Sequence, residues 1–337
     1  MAMPWFKQIF GFTELTYAET QTRFRIESDK LHTNTQPPRS FQVGMLTTPN
    51  VGELRTQVGA LTPLAGTRLT LRTISADAYA LHTWPEAHGA LIQVASQFNL
   101  LEMPGPSTTP EDGITGYQHD HTQGPACAMA CAPATAFRNY LVSVDGQIGQ
   151  TQTRQINTLR DLERAMGIPG IRMQNGYAML DAETVRAIGQ HIQSLDEDGL
   201  DKLRQQLRIG LQSNTEVTAD DAPPQQRVTQ ALCSALPVAY NRAPRSDWAP
   251  FASLVLEASY EATLLAAVLN HQRTGNSKVY LTMVGGGAFG NETRWIFQAL
   301  RRALHGVRHY PLDVAVVCYR QASQDLVDLL AEISAGF

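Results

Sequence analysis

The feature that most constrains the fold is an apolar run that stops at three consecutive glycines. Val279-Tyr-Leu-Thr-Met-Val284 runs into Gly285-Gly-Gly287, and a helix-like segment follows from Glu292 to Leu304. Three residues without a Cβ allow backbone N–H groups to approach a ligand and permit positive φ. A strand, a glycine turn and a helix N-terminus in this order predict an anion site that binds phosphate, with a tight turn that binds nothing as the alternative. The spacing matches neither the dinucleotide fingerprint nor the P-loop.

The bulk properties describe a soluble globular chain. It has 337 residues, of which 43% are hydrophobic and 17% are charged, with a net charge of −4. This charge predicts no general attraction to nucleic acid or to an anionic membrane, and no run approaches the roughly 18 apolar residues of a membrane span. The N-terminus is too short in its apolar part for a secretory signal. We expect a cytoplasmic protein, or one in the host cytosol if it is a secreted effector.

The four cysteines favour buried, reduced thiols over disulfides. Cys127 and Cys131 are separated by four positions in a run of small residues, and Cys318 lies in a strand-like run. Neither Cys127 and Cys131 nor the remaining Cys233 completes a spacing typical of zinc sites.

The first third of the chain mixes strand and helix patterns. Residues 1 to about 37 read as an irregular or strand-forming arm, and Phe41 to Leu46 predicts a short strand. Asn50 is the predicted N-cap of a helix that begins after Pro49. Leu69 to Ile74 alternates apolar and polar residues, as a strand does.

The middle of the chain contains a long loop and a polar helical stretch. Gly89 to Asn99 predicts a strand that runs into a polar turn, and the loop Met103 to Gly113 follows. Pro125 suits the first turn of a helix that Thr122 can cap. Phe137 to Val144 reads as a strand, and residues 150–208 as a helical insertion.

The last third predicts a layered α/β fold. Residues 208–217 and 228–240 return to strand-like or loop patterns, and Ser253 to Leu269 is apolar on almost every side, which predicts a buried helix. A strand at Tyr280 to Val284, the helix at Glu292 to Leu304 and a strand at Leu312 to Cys318 follow. Strand, helix and strand in this order imply parallel pairing.

Three segments of this pattern resemble the macro domain and its relatives that hydrolyse ADP-ribose linkages. Val94-Ala-Ser-Gln-Phe-Asn99 and Gly124-Pro-Ala-Cys-Ala128 are similar to the parts of that family's first ligand loop, and Val284-Gly-Gly-Gly-Ala-Phe-Gly290 is similar to its second. The resemblance implies a macro-domain-like three-layer α/β/α sandwich. Residues 1–60 would form an N-terminal extension packed on the core, and residues 61–337 the ADP-ribose-binding domain with its helical insertion at about 150–208.

Within that family the chain resembles the bacterial-effector type and its relatives, which remove ADP-ribose from arginine, including arginine on ubiquitin. The resemblance implies a hydrolase that needs no cofactor, with ADP-ribosylated protein as its partner. A non-catalytic ADP-ribose reader, or an adaptor whose helical insertion binds a partner, is the alternative. The implied ADP-ribose-binding residues are Gln97, Phe98, Asn99, Gln123, Gly124, Gly285, Gly286, Gly287, Ala288, Phe289, Gly290 and Asn291.

Carboxylates supply the catalytic candidates. Asp112 and Asp120 flank the loop next to the helix start, and Glu102 follows the Asn99 turn. A carboxylate can hold the guanidinium of an ADP-ribosyl-arginine bond, orient a water molecule, or stabilise the positive charge that develops on the ribose. We predict that Asp120 is the main catalytic group, that Asp112 assists and that Asn99 holds the distal ribose. Alternatively, Asp120 only favours a helix N-terminus and Asp112 only shapes a turn.

Two other chemistries remain as alternatives at the same segment. His119 and His121 alternate on an extended loop as metal ligands can, but no third ligand has a diagnostic spacing, so no metal is predicted. Cys127 could be a nucleophile because a helix N-terminus lowers the pKa of a thiol. Its alanine-rich surroundings instead indicate a small core residue.

Overall fold

The computed structural model describes residues 4–61 and 68–336. The strands are β1 (Phe24–Glu27), β2 (Lys30–Thr33), β3 (Ser40–Gln42), β4 (Met45–Thr47), β5 (Thr70–Ser75), β6 (Leu91–Ala95), β7 (Ser143–Val144), β8 (Gln147–Ile148), β9 (Arg172–Gln174), β10 (Tyr177–Met179), β11 (Gly210–Glu216), β12 (Arg227–Cys233), β13 (Lys278–Leu281) and β14 (Asp313–Cys318). The helices are α1 (Trp5–Phe10), α2 (Tyr17–Thr22), α3 (Val51–Gly59), α4 (Ala78–Leu81), α5 (Gln123–Ala130), α6 (Ala132–Ala136), α7 (Arg160–Met166), α8 (Ala182–Ser194), α9 (Glu197–Arg204), α10 (Arg245–Thr274), α11 (Thr293–Gly306) and α12 (Gln324–Ala335).

A seven-stranded mixed sheet forms the centre of the molecule. Its strand order is β4-β11-β12-β6-β13-β14-β5. The five strands from β12 to β5 are parallel to one another, whereas β4 and β11 add an antiparallel edge. The parallel strands therefore end together on one side of the sheet, which is where ligands bind in open α/β folds.

Helices cover both faces of this sheet. Along β14, Val314 and Val316 face the large cluster formed with α3, α8, α10, α11 and α12. The intervening Ala315 faces the opposite layer, where it joins Leu81 of α4 and Ala134 of α6. This alternation of side chains between two apolar layers is expected for a strand that is buried on both faces. The predicted three-layer α/β/α arrangement is confirmed.

The closing run of the fold also follows the prediction. The elements α10, β13, α11 and β14 succeed one another, and β13 pairs in parallel with β14. By length and composition α10 could cross a membrane, contrary to the expectation that no run qualifies. Its qualifying window has a mean hydropathy of 1.4, and 78% of that window is buried inside the protein.

The N-terminal region contributes to two parts of the molecule. The helices α1 and α2 and the small sheet β1-β2-β3 form an aromatic cluster that includes Phe6, Phe10 and Phe24. The predicted strand over residues 41–46 is divided between β3 and β4, because the backbone at Gly44 turns into the left-handed region with a φ of 74°. Asn50 caps α3, as predicted, and the structure adds a reciprocal box with Glu53.

The predicted insertion at 150–208 contains α7, α8 and α9 together with the hairpin β9–β10. The expected boundary at residue 60 stays a prediction, although β4 pairs with β11 in the central sheet and α3 packs against α10.

One strand prediction is wrong. Phe137–Leu141, at the start of the predicted strand, forms a single π-helical turn directly after α6, and only the short β7 follows. Arg138, Asn139 and Tyr140 are all buried in this turn. A short aromatic run has the same apolar signal in a buried helix as in a strand, so its sequence alone did not decide between the two.

Candidate active site

A cavity of about 490 Å³ lies at the carboxyl ends of the parallel strands. Its walls include residues that follow β5, β6, β12 and β13, and the end of β14. The N-terminal turn of α5 completes it, with Thr122, Gln123 and Gly124 among the lining residues. The glycine turn and the helix start that the sequence singled out therefore meet at one site.

The glycine turn presents backbone amides to this cavity. Gly285, Gly287, Ala288 and Phe289 line it. Within the described chain, the N–H groups of Gly287, Ala288 and Phe289 donate to no protein acceptor. Consecutive unpaired amides in a turn form an anion-binding concavity, so they are available to a phosphate.

The other predicted turn residues hold the turn in place. The Asn291 side chain donates to the Leu236 carbonyl oxygen at 2.9 Å, and the Asn291 N–H donates to Gly285 O at 2.9 Å. Gly285 and Gly290 have φ of 80° and 71°, in the left-handed region that glycine adopts readily. A side chain at Gly286 would point towards Ile296 and Met283 rather than into the cavity. Gly286, Gly290 and Asn291 are thus not among its lining residues.

Of the two predicted catalytic aspartates, only Asp120 lines the cavity. Its Oδ1 accepts the Thr122 N–H at 2.9 Å at the start of α5, while no other bond to its carboxylate is formed by the described residues. Asp112 is exposed, and its Oδ2 accepts from the N–H and hydroxyl of Thr109 at 2.8 and 3.0 Å. The expected pair of Asp112 and Asp120 at one site is corrected, because Asp112 caps its own turn.

Three residues predicted to bind ADP-ribose lie after β6, and only Gln97 lines the cavity. Gln97 exchanges two hydrogen bonds with the Met103 backbone, at 2.8 and 3.2 Å. Asn99 is fully buried; its Oδ1 accepts the Leu101 N–H and its Nδ2 donates to Gln155. Phe98 is buried in the large core cluster. Asn99 and Phe98 therefore lie behind the cavity wall and do not line the cavity.

The start of α5 lies close against the end of β6. The Gln123 amide accepts from the Ala95 N–H at 2.7 Å and donates to the Gln93 carbonyl oxygen at 3.0 Å. A side chain at Gly124 would overlap both the Ala95 carbonyl oxygen and Glu102 Oε2. Glycine at position 124 is thus required by the close approach of three chain segments.

The cavity lining includes three carboxyl side chains. Asp77, Glu102 and Asp120 line it, and neither lysine nor arginine occurs among its lining residues in the described ranges. Asp77 caps α4 by accepting from two backbone N–H groups. Burial raises the pKa of Glu102 well above its ordinary value of 4.5; the Arg138 guanidinium opposes this rise and the Asp120 carboxylate adds to it.

Three aromatic side chains form one wall. Tyr177, Tyr240 and Phe289 all line the cavity, and their ring centroids are 5.4 to 5.8 Å apart. The Tyr177 hydroxyl donates to Met103 O at 2.8 Å, which ties this wall to the segment that carries Glu102. Tyr319 also lines the cavity and is 77% exposed at its rim.

The two alternative chemistries gain no support from the geometry. His121 lines the cavity, but residues 4–61 and 68–336 contain no group of three or more His, Cys, Asp or Glu side chains that could hold a metal. Cys127 is fully buried, and burial raises the pKa of its thiol well above the ordinary range. All four cysteines are free thiols, as expected.

Sequence reasoning missed the two tyrosines of the aromatic wall, and it named Glu102 among the carboxylate candidates without giving it a role. Tyr177 is contributed by the hairpin of the predicted insertion, and Tyr240 follows β12, so no shared motif connects them to Phe289. Glu102 carried one signal, its position shortly after a strand that ends at the ligand side of the sheet.

No family model matches the chain, and no curated protein matches it. Among solved structures it is similar to the poly(ADP-ribose) glycohydrolase from Thermomonospora curvata, with 14% sequence identity and a TM-score of 0.43, covering 91% of this chain and 93% of that one. It is also similar to the poly(ADP-ribose) glycohydrolase from Deinococcus radiodurans in complex with ADP-ribose. That likeness has 12% identity and a TM-score of 0.44, and covers 87% of this chain and 94% of the other.

Proposed function

We propose that the protein hydrolyses the N-glycosidic bond between ADP-ribose and an arginine side chain of a modified protein. The proposal is supported by the lining of one cavity, which combines unpaired backbone amides with carboxyl side chains and contains no lysine or arginine among the described residues. ADP-ribosyl-arginine has a matching combination, since it joins an anionic diphosphate to a cationic guanidinium.

The glycine turn would bind the diphosphate. The N–H groups of Gly287, Ala288 and Phe289 supply hydrogen-bond donors, and the start of α5 adds the positive end of a helix dipole. Phe289 and its neighbour Tyr240 offer aromatic faces to the adenine, which stacks on such rings without needing a specific donor.

Asp120 would face the bond that breaks. A guanidinium stays protonated at neutral pH and pairs well with a carboxylate. A serine or glutamate linkage carries no such cation, so an acidic cavity gives it no comparable stabilisation. Asp120 would hold the guanidinium or orient the attacking water, and the water oxygen would replace the guanidine nitrogen on the anomeric carbon.

The test is a linkage panel. Wild-type protein is incubated with arginine-, serine- and glutamate-linked ADP-ribosylated proteins, including arginine-modified ubiquitin, and released ADP-ribose is quantified. We expect release from the arginine-linked substrates at a rate at least tenfold above the other two. Release only from the ester-linked substrate would contradict the arginine assignment, while the broader assignment as a hydrolase would stand.

Calorimetric titration with ADP-ribose distinguishes the remaining alternative. Binding without release from any linkage would favour the non-catalytic reader or adaptor. If millimolar ADP-ribose produces no binding heat and no linkage is cleaved, both readings of the cavity are wrong.

A further inference from the structure

Three successive backbone N–H groups, of Leu101, Glu102 and Met103, hold Glu102 in the cavity wall through hydrogen bonds. Its own N–H donates to the Tyr117 hydroxyl at 2.9 Å. The preceding N–H, of Leu101, donates to Asn99, and the following N–H, of Met103, donates to Gln97. The amides that the sequence suggested as ligand groups therefore fix the position of this carboxyl.

The Glu102 side chain is buried yet incompletely bonded. The residue is 3% exposed, lines the cavity, and its Oε1 has no hydrogen-bond partner among the described residues. Buried polar atoms are nearly always satisfied, so an unpaired carboxyl oxygen at a cavity wall is open to a hydrogen-bond partner in the cavity. The missing side chain at Gly124 leaves the space that Oε2 occupies.

Burial favours the protonated form of Glu102. Burial raises the pKa of this carboxyl well above 4.5, the guanidinium of Arg138 opposes the rise, and Asp120 adds to it. Arg138 directs its own hydrogen bonds to Leu100 O, Thr135 and Gln212, and forms no ion pair with Glu102 within 4.0 Å. Glu102 and the more exposed Asp120 are thus two carboxyl groups in unlike surroundings, which is the arrangement that separates an acid from a base.

We propose that Glu102 is a second catalytic carboxyl of this cavity, which donates a proton to the leaving nitrogen while Asp120 accepts a proton from the attacking water. This inference rests on the proposed function. The bond between the anomeric carbon and the guanidine nitrogen breaks with its electron pair on nitrogen, which takes the proton from Glu102. Water forms the new bond to carbon and loses a proton to Asp120, which returns it to Glu102. Arginine leaves as a guanidinium, and the only reactant consumed is water.

The variant Glu102→Gln tests this role because it keeps the shape and removes the acid. We expect it to lower kcat on the arginine-linked substrate by about 100-fold or more, the range for a lost general acid. The dissociation constant for ADP-ribose at pH 6 should change by less than threefold. The wild-type pH profile of kcat/KM should fall on its basic side, and this fall should be absent from the variant.

Glu111→Gln is the matched control, because Glu111 lies in the long loop that follows Glu102, outside the cavity, and accepts the Gln152 N–H. It should keep the wild-type rate and pH profile. A purely structural role for Glu102 would instead reduce ADP-ribose affinity and turnover together and leave the shape of the profile unchanged. That result, or a wild-type rate for Glu102→Gln, would overturn the inference while leaving the proposed function intact.

A second readout does not need turnover. As pH rises, ionised Glu102 should repel the diphosphate, so wild-type affinity for ADP-ribose should weaken towards pH 9 and that of Glu102→Gln should stay constant. If wild type cleaves no linkage but shows this difference, the proposed function fails and only the contact of Glu102 with the ligand is supported. If the two proteins have the same pH dependence of affinity, the contact itself is contradicted.

Discussion

The glycine turn and the segment that carries Glu102 and Asp120 line the same cavity but are built by different means. The turn offers backbone amides, and its shape depends on a few local contacts such as that between Asn291 and Gly285. The carboxyl segment offers side chains: Asp120 is held locally by the Thr122 N–H, whereas Glu102 is buried against Gly124 of α5 and its N–H donates to the Tyr117 hydroxyl. One short motif therefore supplies the amides of the anion site, whereas the burial of Glu102 requires the assembled fold.

The largest effect is expected for the pH dependence of the unfolding free energy of Glu102→Gln. In wild type, the raised pKa keeps Glu102 protonated in the folded state after the unfolded chain has ionised. The folded state then binds more protons, so wild-type stability falls as pH rises from about 4.5 to the raised pKa. The variant lacks this loss. Its unfolding free energy should therefore rise relative to that of wild type by up to about 1.4 kcal/mol for each pH unit in that window.

Urea unfolding of both proteins between pH 4 and pH 8 measures the difference, with Glu111→Gln as the control that should follow wild type. A constant difference in unfolding free energy across this range would show that Glu102 is not a buried protonated acid.

The next largest effect is expected at Gly124. Alanine there would overlap Ala95 O and Glu102 Oε2, and the backbone oxygen cannot rotate away. We expect Gly124→Ala to lower the unfolding free energy by about 1–3 kcal/mol, as overpacking does, and to reduce turnover by displacing Glu102. Thermal unfolding and the arginine-linkage assay measure the two effects, and unchanged values in both would contradict the close contact.

On the amide side, Gly287→Val should weaken ADP-ribose binding by about tenfold, which corresponds to 1.4 kcal/mol. A Cβ at Gly287 meets no protein atom within 4 Å, so the new side chain should leave folding intact while it obstructs the exposed amides. Gly59→Val, another glycine with open space around its Cβ position, is the control away from the cavity. Equal affinities for ADP-ribose in the two variants would remove the turn from the binding site.

The smallest effect is expected at the aromatic wall. Tyr240 is 37% exposed and contacts Phe289 edge to face, with ring centroids 5.8 Å apart. Tyr240→Ala should reduce ADP-ribose affinity by about fivefold, or roughly 1 kcal/mol. Tyr240→Phe should retain the affinity, since stacking uses the ring rather than the hydroxyl. A comparable loss in both variants would point to a polar contact instead.

The sequence predicts the parts of this molecule that depend on neighbouring residues. The first part of the apolar run before Gly285 lies in β13, which ends at Leu281, and the predicted N-cap Asn50 begins α3. The helix after the glycine turn and the last parallel strand are also found where they were expected. In each case the pattern of a single segment contains the structural information.

The features that sequence reasoning missed depend on contacts between distant segments. The sequence alone does not distinguish Asp112 from Asp120. In the structure, Asp112 accepts the Thr109 N–H and lies outside the cavity. The Asn99 side-chain amide has the chemistry of a ligand group, but it is already hydrogen-bonded to the Leu101 N–H and to Gln155. Glu102 becomes an acid candidate only through burial beneath α5, which no spacing encodes.

The variant Asp120→Asn tests most directly whether a carboxyl at this cavity takes part in cleaving the bond to arginine. Single-turnover release of ADP-ribose from an arginine-modified protein is measured for wild type, Asp120→Asn and Asp112→Asn, with ADP-ribose affinity determined in parallel. We predict that Asp120→Asn slows release by about 100-fold or more at nearly unchanged affinity. Asp112→Asn should slow release less, by loosening the loop that leads to Asp120. Release by Asp120→Asn at the wild-type rate would contradict the account.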